Sequence, residues 1–249
     1  MAARRVRGVL TVWLFASIRR HPWLWALAAA VPLVAFPQID ITVTSWFYDP
    51  VREIFPARVA PFPEWVRRDM PAVLFMVPVL MVVAWLAGEI RRRPLLGVTR
   101  RVVLYVLLSL AVGPGLVVNV VLKDNWGRPR PSTIQEFGGP NTYVRPLVPS
   151  TQCDENCSFA SGHGALGFWP VALALLARGR WRRPALAAAG AFGIMVGTVR
   201  VIQGGHFLSD VVASAFITIG ISVVLYKWLI EPGKAPSSKN NRPNSPDSA

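Results

Sequence analysis

This chain has little of several things. Of its 249 residues, three are histidine and two are cysteine, and 13 acidic residues stand against 27 basic ones. Two cysteines are too few for a disulfide scaffold. Acidic residues this sparse argue against a two-metal carboxylate clamp. Two thiols with no neighbouring histidine pair make a poor zinc set. No metal and no other cofactor is therefore expected. Amphipathic periodicity is missing too, because the apolar residues come in long blocks. The basic start (Arg4, Arg5, Arg7) is followed by no small-x-small cleavage site, so it reads as an uncleaved, cytoplasmic amphipathic lead-in.

What is present is hydrophobic sequence. Over half the residues (53%) are hydrophobic, ten are Trp, and the mean hydropathy is +0.40. A stretch of ~20 mostly apolar residues spans a bilayer as a helix. Six such stretches are expected, at about 22–37, 71–88, 101–122, 159–177, 184–200 and 207–230. The fold class that follows is all-α: a polytopic membrane protein built as a six-transmembrane helix bundle. Residues 1–231 form the membrane domain, with outer loops at about 38–70 and 123–158. Residues 232–249, rich in Pro, Ser and Asn, form a disordered cytoplasmic tail. The 38–70 loop, with Trp46, Phe47, Tyr48, Phe55, Phe62 and Trp65, reads as a segment at headgroup level. Gly113-Pro114-Gly115 should kink the third span, and the small residues from Ala185 to Gly190 suit the fifth to close packing.

The charges divide unevenly across these spans. Eighteen of the 27 basic residues fall on the side that holds both termini, with only Glu89, Glu231 and Asp247 beside them. The positive-inside rule makes that side cytoplasmic. The net charge of +14 is then a matter of topology and anionic headgroups, and no nucleic-acid partner is expected. The Arg-rich inner loops fit a bacterial inner membrane with a periplasmic active site. Cys153 and Cys157 fall in the outer 123–158 loop, where disulfides persist, and a bond between them is expected. His21, among Arg19, Arg20 and Pro22, is read as interfacial.

The chemistry-bearing residues collect on the outer side in three places. Arg200 precedes Gly204-Gly205, His206 and Asp210. The glycines should break one helix from the next, leaving His206 and Asp210 at i and i+4 on one helix face. A carboxylate beside one imidazole nitrogen raises the basicity of the other, making a nucleophile. The plainer reading is a His–Asp pair that caps a helix. Ser161-Gly162-His163 opens a span, where backbone N–H groups and a hydroxyl can face an anion and His163 can protonate a leaving oxygen. Here the plainer reading is an N-cap serine and a packing histidine. Lys123 stands seven residues before Arg130-Pro131, and Gly127, Pro129 and Pro131 forbid a regular helix between them. The loop should curl Lys123 and Arg130 toward one anion. Arg128 reads as part of a juxtamembrane basic cluster. Together these residues supply a nucleophile, a proton donor and a cationic cradle, the parts needed to take a phosphate from a lipid.

Lys-x6-Arg-Pro, then Ser-Gly-His, then Arg-x5-His-x3-Asp resembles the three-part signature of the type 2 phosphatidic acid phosphatase superfamily. Two positions depart from it: Ala160 stands where the family has proline, and Val199 where it has serine. The resemblance implies that His206 attacks phosphorus, Asp210 orients it, and His163 acts as acid and then base. Lys123, Arg130, Arg200 and the Ser161/Gly162 region would hold the phosphate oxygens. Two histidines in opposite protonation states imply a bell-shaped pH profile. The implied substrates are undecaprenyl diphosphate, phosphatidylglycerol phosphate, phosphatidic acid or lipid A phosphates. Alternatives are a lipid-to-lipid phosphotransferase, a non-enzymatic anion transporter, a vanadate-binding haloperoxidase and an inactive scaffold. A transporter would need polar residues deep in several spans, the haloperoxidase relatives are soluble, and a scaffold need not keep every charged residue of the signature.

Overall fold

The computed structural model describes residues 22–231. The basic lead-in, His21 and the 232–249 tail lie outside the described residues. Those that are described form helices and loops, with two isolated β-bridges and no strand. The helices are α1 (Pro22–Ala35), α2 (Gln38–Ser45), α3 (Pro61–Arg68), α4 (Met70–Ile90), α5 (Arg100–Lys123), α6 (Gly162–Phe168), α7 (Pro170–Leu175), α8 (Arg182–Ile202) and α9 (Leu208–Leu229).

Among the described residues, four helices are long and apolar enough to cross a membrane: α4, α5, α9 and α8 with the turn before it. The other two expected spans are shorter. Pro37 ends α1 and restarts the chain as α2, and Pro170 divides the stretch from Gly162 to Leu175 into α6 and α7. Proline has no N–H for the helix ladder, so an interior break is its usual effect. Along α4, Val73, Met76, Val79, Leu80 and Val83 stay exposed, as on a helix that faces hydrocarbon.

The expected distortion of the third span takes a specific form. From Ala111 to Lys123 the helix widens to π geometry around Pro114, which opens the ladder where proline cannot donate. The Asn119 amide donates back to the Pro114 carbonyl at 2.7 Å, satisfying an acceptor inside an apolar segment.

α9 lies against α5, α6 and α7, and α8 packs along α6 and α7. The main core gathers Tyr105, Val106, Trp169, Ala172, Leu175 and Tyr226. Two of its polar side chains are paired within it. Tyr105 donates to the Ala172 carbonyl at 3.0 Å, and the Trp169 indole donates to Ser109 Oγ at 3.1 Å. Within Ala185 to Gly190, Ala189 is buried in this core and Ala185 and Leu186 pack against it, while the tightest approach of α8 falls at later glycines. A Cβ on Gly190 would meet nothing within 4 Å, whereas one on Gly193 would lie 2.2 Å from the Phe168 ring and one on Gly197 2.3 Å from Val211.

A second cluster sits beneath the two long loops, where Phe55, Phe137, Ile134 and Phe207 pack with Tyr48 and Tyr143. The 123–158 loop is folded upon it, and a disulfide joins Cys153 to Cys157 with Cα atoms 5.7 Å apart. The 38–70 segment, expected at headgroup level, forms two helices of the bundle. Its α2 and α3 pack against α9 and α8 and carry residues into the site.

Candidate active site

His206 does not sit on a helix. Gly204 adopts φ +59°, Phe207 is extended, and α9 begins only at Leu208. The expected i, i+4 face therefore does not form. The His206 ring is buried (1% exposed), and its Nδ1 lies 2.7 Å from the Ser158 carbonyl oxygen. A carbonyl can only accept, so Nδ1 carries the hydrogen and Nε2 keeps its lone pair. Burial lowers the pKa of His206 well below the ordinary imidazole value, and the charges of Arg200, Arg130 and Lys123 lower it further. The ring is held neutral, with one free lone pair, among three cations.

Asp210 forms no hydrogen bond to His206, which corrects the direct pairing drawn from the sequence. Its carboxylate accepts from Ser158 Oγ at 2.6 Å, from the Phe207 backbone N–H at 2.9 Å, and from Arg128. The Phe207 contact is a helix cap, so the plainer reading was correct for the aspartate. Its link to His206 runs through Ser158: the serine hydroxyl donates to Asp210 while the serine carbonyl receives the His206 hydrogen.

Arg128 is not a lipid-facing cation. Its side chain is fully buried, donating to Asp40 Oδ2 at 2.9 Å, Ser209 Oγ at 2.9 Å and the Val144 carbonyl at 3.0 Å as well as to Asp210. Its guanidinium lies over the Phe207 ring, 4.4 Å from the centroid. Burial opposes its charge, but Asp210 and Asp40 together outweigh that effect and hold its pKa above the ordinary arginine value. Asp40 reaches the same place from α2, accepting from the Ser209 N–H at 2.9 Å. The sequence carried a signal for Asp40, a carboxylate set between Ile39 and Ile41.

Arg200 lies in the last turn of α8 and is 4% exposed. One terminal nitrogen donates to Gln203 Oε1, and its Nε has no partner among the described residues. Gly205 makes room for it, since a Cβ there would lie 2.6 Å from Arg200 Nη2. Arg130 donates from Nε to the Asn156 carbonyl at 3.0 Å, and from Nη2 to the Asn156 carbonyl at 2.7 Å and side-chain oxygen at 2.6 Å. Lys123 closes α5.

Ser161 caps α6, its hydroxyl accepting from the Gly164 N–H at 3.1 Å. Gly162 lets α6 meet the widened part of α5, because a Cβ would lie 2.5 Å from Asn119 Oδ1. His163 Nε2 lies 2.9 Å from the Arg67 carbonyl, so Nε2 carries hydrogen and Nδ1 is left for proton transfer. That carbonyl comes from α3, and a backbone acceptor leaves no mark in sequence. Lys123, Arg130 and Arg200 act electrostatically on both histidines. Among the described residues no three His, Cys, Asp or Glu side chains are grouped to hold a metal ion.

A family model described as the PAP2 superfamily matches residues 102–233. The chain belongs to the PAP2 superfamily. It is 36% identical over 199 residues to a lipid A 4'-phosphatase of Francisella tularensis subsp. novicida (strain U112), covering 78% of this chain and 86% of the relative. It is 34% identical over 204 residues to a lipid A 4'-phosphatase of Rhizobium leguminosarum, covering 76% and 86%. A lipid A 4'-phosphatase of Rhizobium etli is 39% identical over 103 residues, covering 41% and 40%. No solved structure matches the chain significantly. The two departures from the PAP2 signature lie in apolar surroundings: Ala160 packs with Val118, Phe159 and Ala165, and Val199 packs with Val66 and Met70.

Proposed function

We propose that this PAP2 protein hydrolyses a phosphate ester of a lipid headgroup at the outer face of a bacterial inner membrane, through a phosphohistidine on His206. The 4'-phosphate of lipid A is the first substrate to test, since the relatives that match across most of this chain carry that activity in their names. One observation carries the reading. The His206 Nδ1–H is committed to the Ser158 carbonyl, which leaves Nε2 free as a nucleophile among Lys123, Arg130 and Arg200.

Nε2 attacks phosphorus in line, an N–P bond forms, and the bond from phosphorus to the sugar oxygen breaks. His163, which enters the step as the imidazolium with its Nε2–H held by the Arg67 carbonyl, gives its Nδ1 proton to the departing oxygen. The neutral His163 then takes a proton from water, whose oxygen attacks phosphorus, and the N–P bond breaks to release inorganic phosphate and restore His206. Lys123, Arg130, Arg200 and the Ser161/Gly162 turn stabilise charge on the equatorial oxygens. Asp210 steadies the imidazolium at one remove, through Ser158. The excess of basic residues on the side of both termini supports placing the site in the periplasm.

The test is phosphate release by purified protein from a panel holding lipid A, phosphatidic acid, phosphatidylglycerol phosphate and undecaprenyl diphosphate. His206→Ala should release none. Phosphate release by His206→Ala at the wild-type rate would remove the histidine from the mechanism.

A further inference from the structure

Beside the catalytic cations lies a cavity of about 300 Å³, bounded by Arg58, Glu64, Arg67, Arg130, Arg200 and Gln203. Arg130 and Arg200 belong to the phosphate cradle. Arg58 and Arg67 do not: they come from the turn before α3 and from α3 itself, ahead of the residues that match the PAP2 model. A phosphate monoester brings at most two negative charges, and Lys123, Arg130 and Arg200 already set three positive charges against it. Two further guanidinium groups are therefore in excess for a single phosphate.

Among the described residues, one carboxylate offsets them. Glu64 is committed to Arg67, receiving bonds of 2.8 and 2.5 Å, and also lies 3.5 Å from Arg68. Arg58 forms no ion pair with any carboxylate among the described residues. It spends its Nε on the Gln203 carbonyl at 2.9 Å, and the Gln203 side chain in turn accepts from Arg200. This chain of contacts fixes Arg58 to the phosphate cradle and leaves its terminal nitrogens without an acid. Burial, and then the charge of Arg67, lower its pKa, while burial and then the charges of Arg58 and Arg67 lower that of Arg130. Four like charges this close repel one another unless an anion enters.

We infer that Arg58 and Arg67 form a second anion subsite, which takes another negatively charged group of the same substrate while the cradle holds the phosphate to be removed. The substrate class is an amphiphile with at least two anionic groups on its headgroup, and this inference rests on the catalytic reading above. The α3 segment then both fixes His163 through the Arg67 carbonyl and selects the headgroup.

The experiment uses the full chain in detergent micelles. Two lipids are compared: an acylated disaccharide with a phosphate on each sugar, and the same lipid with only the phosphate to be removed. Binding is measured on His206→Ala protein so that substrate survives, and phosphate release is measured separately on protein with His206 intact. We expect the doubly phosphorylated lipid to bind about tenfold more tightly. Arg58→Gln and Arg67→Gln should each erode that advantage, Arg58→Lys should keep most of it, and Glu64→Gln should enlarge it. Equal affinity for the two lipids, or an advantage that survives in both Arg58→Gln and Arg67→Gln, overturns the subsite. If Arg58→Gln does not fold, Arg67→Gln and Glu64→Gln decide alone. An intact binding preference without phosphate release leaves the subsite standing and removes the catalytic reading. Release without preference does the reverse.

Discussion

Arg128 and Asp210 form an ion pair from which water is wholly excluded, and neither side chain has any exposed surface. The same guanidinium holds Asp40, so one cation satisfies two buried carboxylates from distant parts of the chain. Removing it would leave two acids desolvated and unpaired. The loss of one partner from a buried pair costs about 3–5 kcal/mol. Arg128→Met should therefore unfold early in a thermal melt of the micellar protein, at a far lower temperature than Arg145→Met on the same loop. Equal melting temperatures would show that the pair contributes nothing.

His206 makes a prediction about pH. Burial and three nearby cations lower its pKa, so it stays neutral, and nucleophilic, below the ordinary imidazole value of ~6.5. The acid limb of kcat/KM reports the free enzyme, and it should lie on the acid side of that value. Arg130→Gln removes one cation, makes protonation easier and should move the limb of the residual activity upward. The stability sign follows from the same shift. The folded pKa lies below the unfolded one, so the protein loses stability as pH falls below ~6.5, where the unfolded state binds the proton and the folded state resists it. A limb that does not move in Arg130→Gln would separate Arg130 from His206.

Much of this site was legible in the chain, for local reasons. The Gly204-Gly205 break, the Ser161 cap and the four long spans each follow from residues within a few positions of one another. What was not legible depends on partners far away in sequence. Arg128 has the local look of a juxtamembrane cation, and only the arrival of Asp40 from α2 turns it into a buried strut. Asp210 was expected to touch His206 because the spacing suited a helix. The helix starts two residues after the histidine, so the contact passes to Ser158 instead. The hold of Arg67 on His163 uses a backbone carbonyl, which any residue type would supply.

Gly205 should matter to catalysis without mattering to the fold. A Cβ there would meet the far end of the Arg200 side chain at 2.6 Å, and a flexible guanidinium can move aside. Displacing it by about 1 Å is enough to lower activity on the order of 100-fold. Gly205→Ala should melt near the wild-type temperature while kcat/KM falls steeply. Unchanged activity would mean that the position of Arg200 is not critical.

Two glycines of α8 make an internally controlled pair. Gly190 has open space where a Cβ would go, and alanine there should stabilise the helix by about 0.5–1 kcal/mol through backbone entropy. Gly193 has no such space: a Cβ would lie 2.2 Å from the ring of Phe168, which is itself buried and cannot swing away. Overpacking of this kind costs about 1–3 kcal/mol. Thermal melts of Gly190→Ala and Gly193→Ala should therefore move in opposite directions, although the residues are three apart on one helix. The cost at Gly193 should shrink when Phe168 is shortened to leucine in the same protein, because the steric partner is then gone. If Gly193→Ala is as stable as Gly190→Ala, α8 does not approach α6 as closely as the Phe168 contact requires.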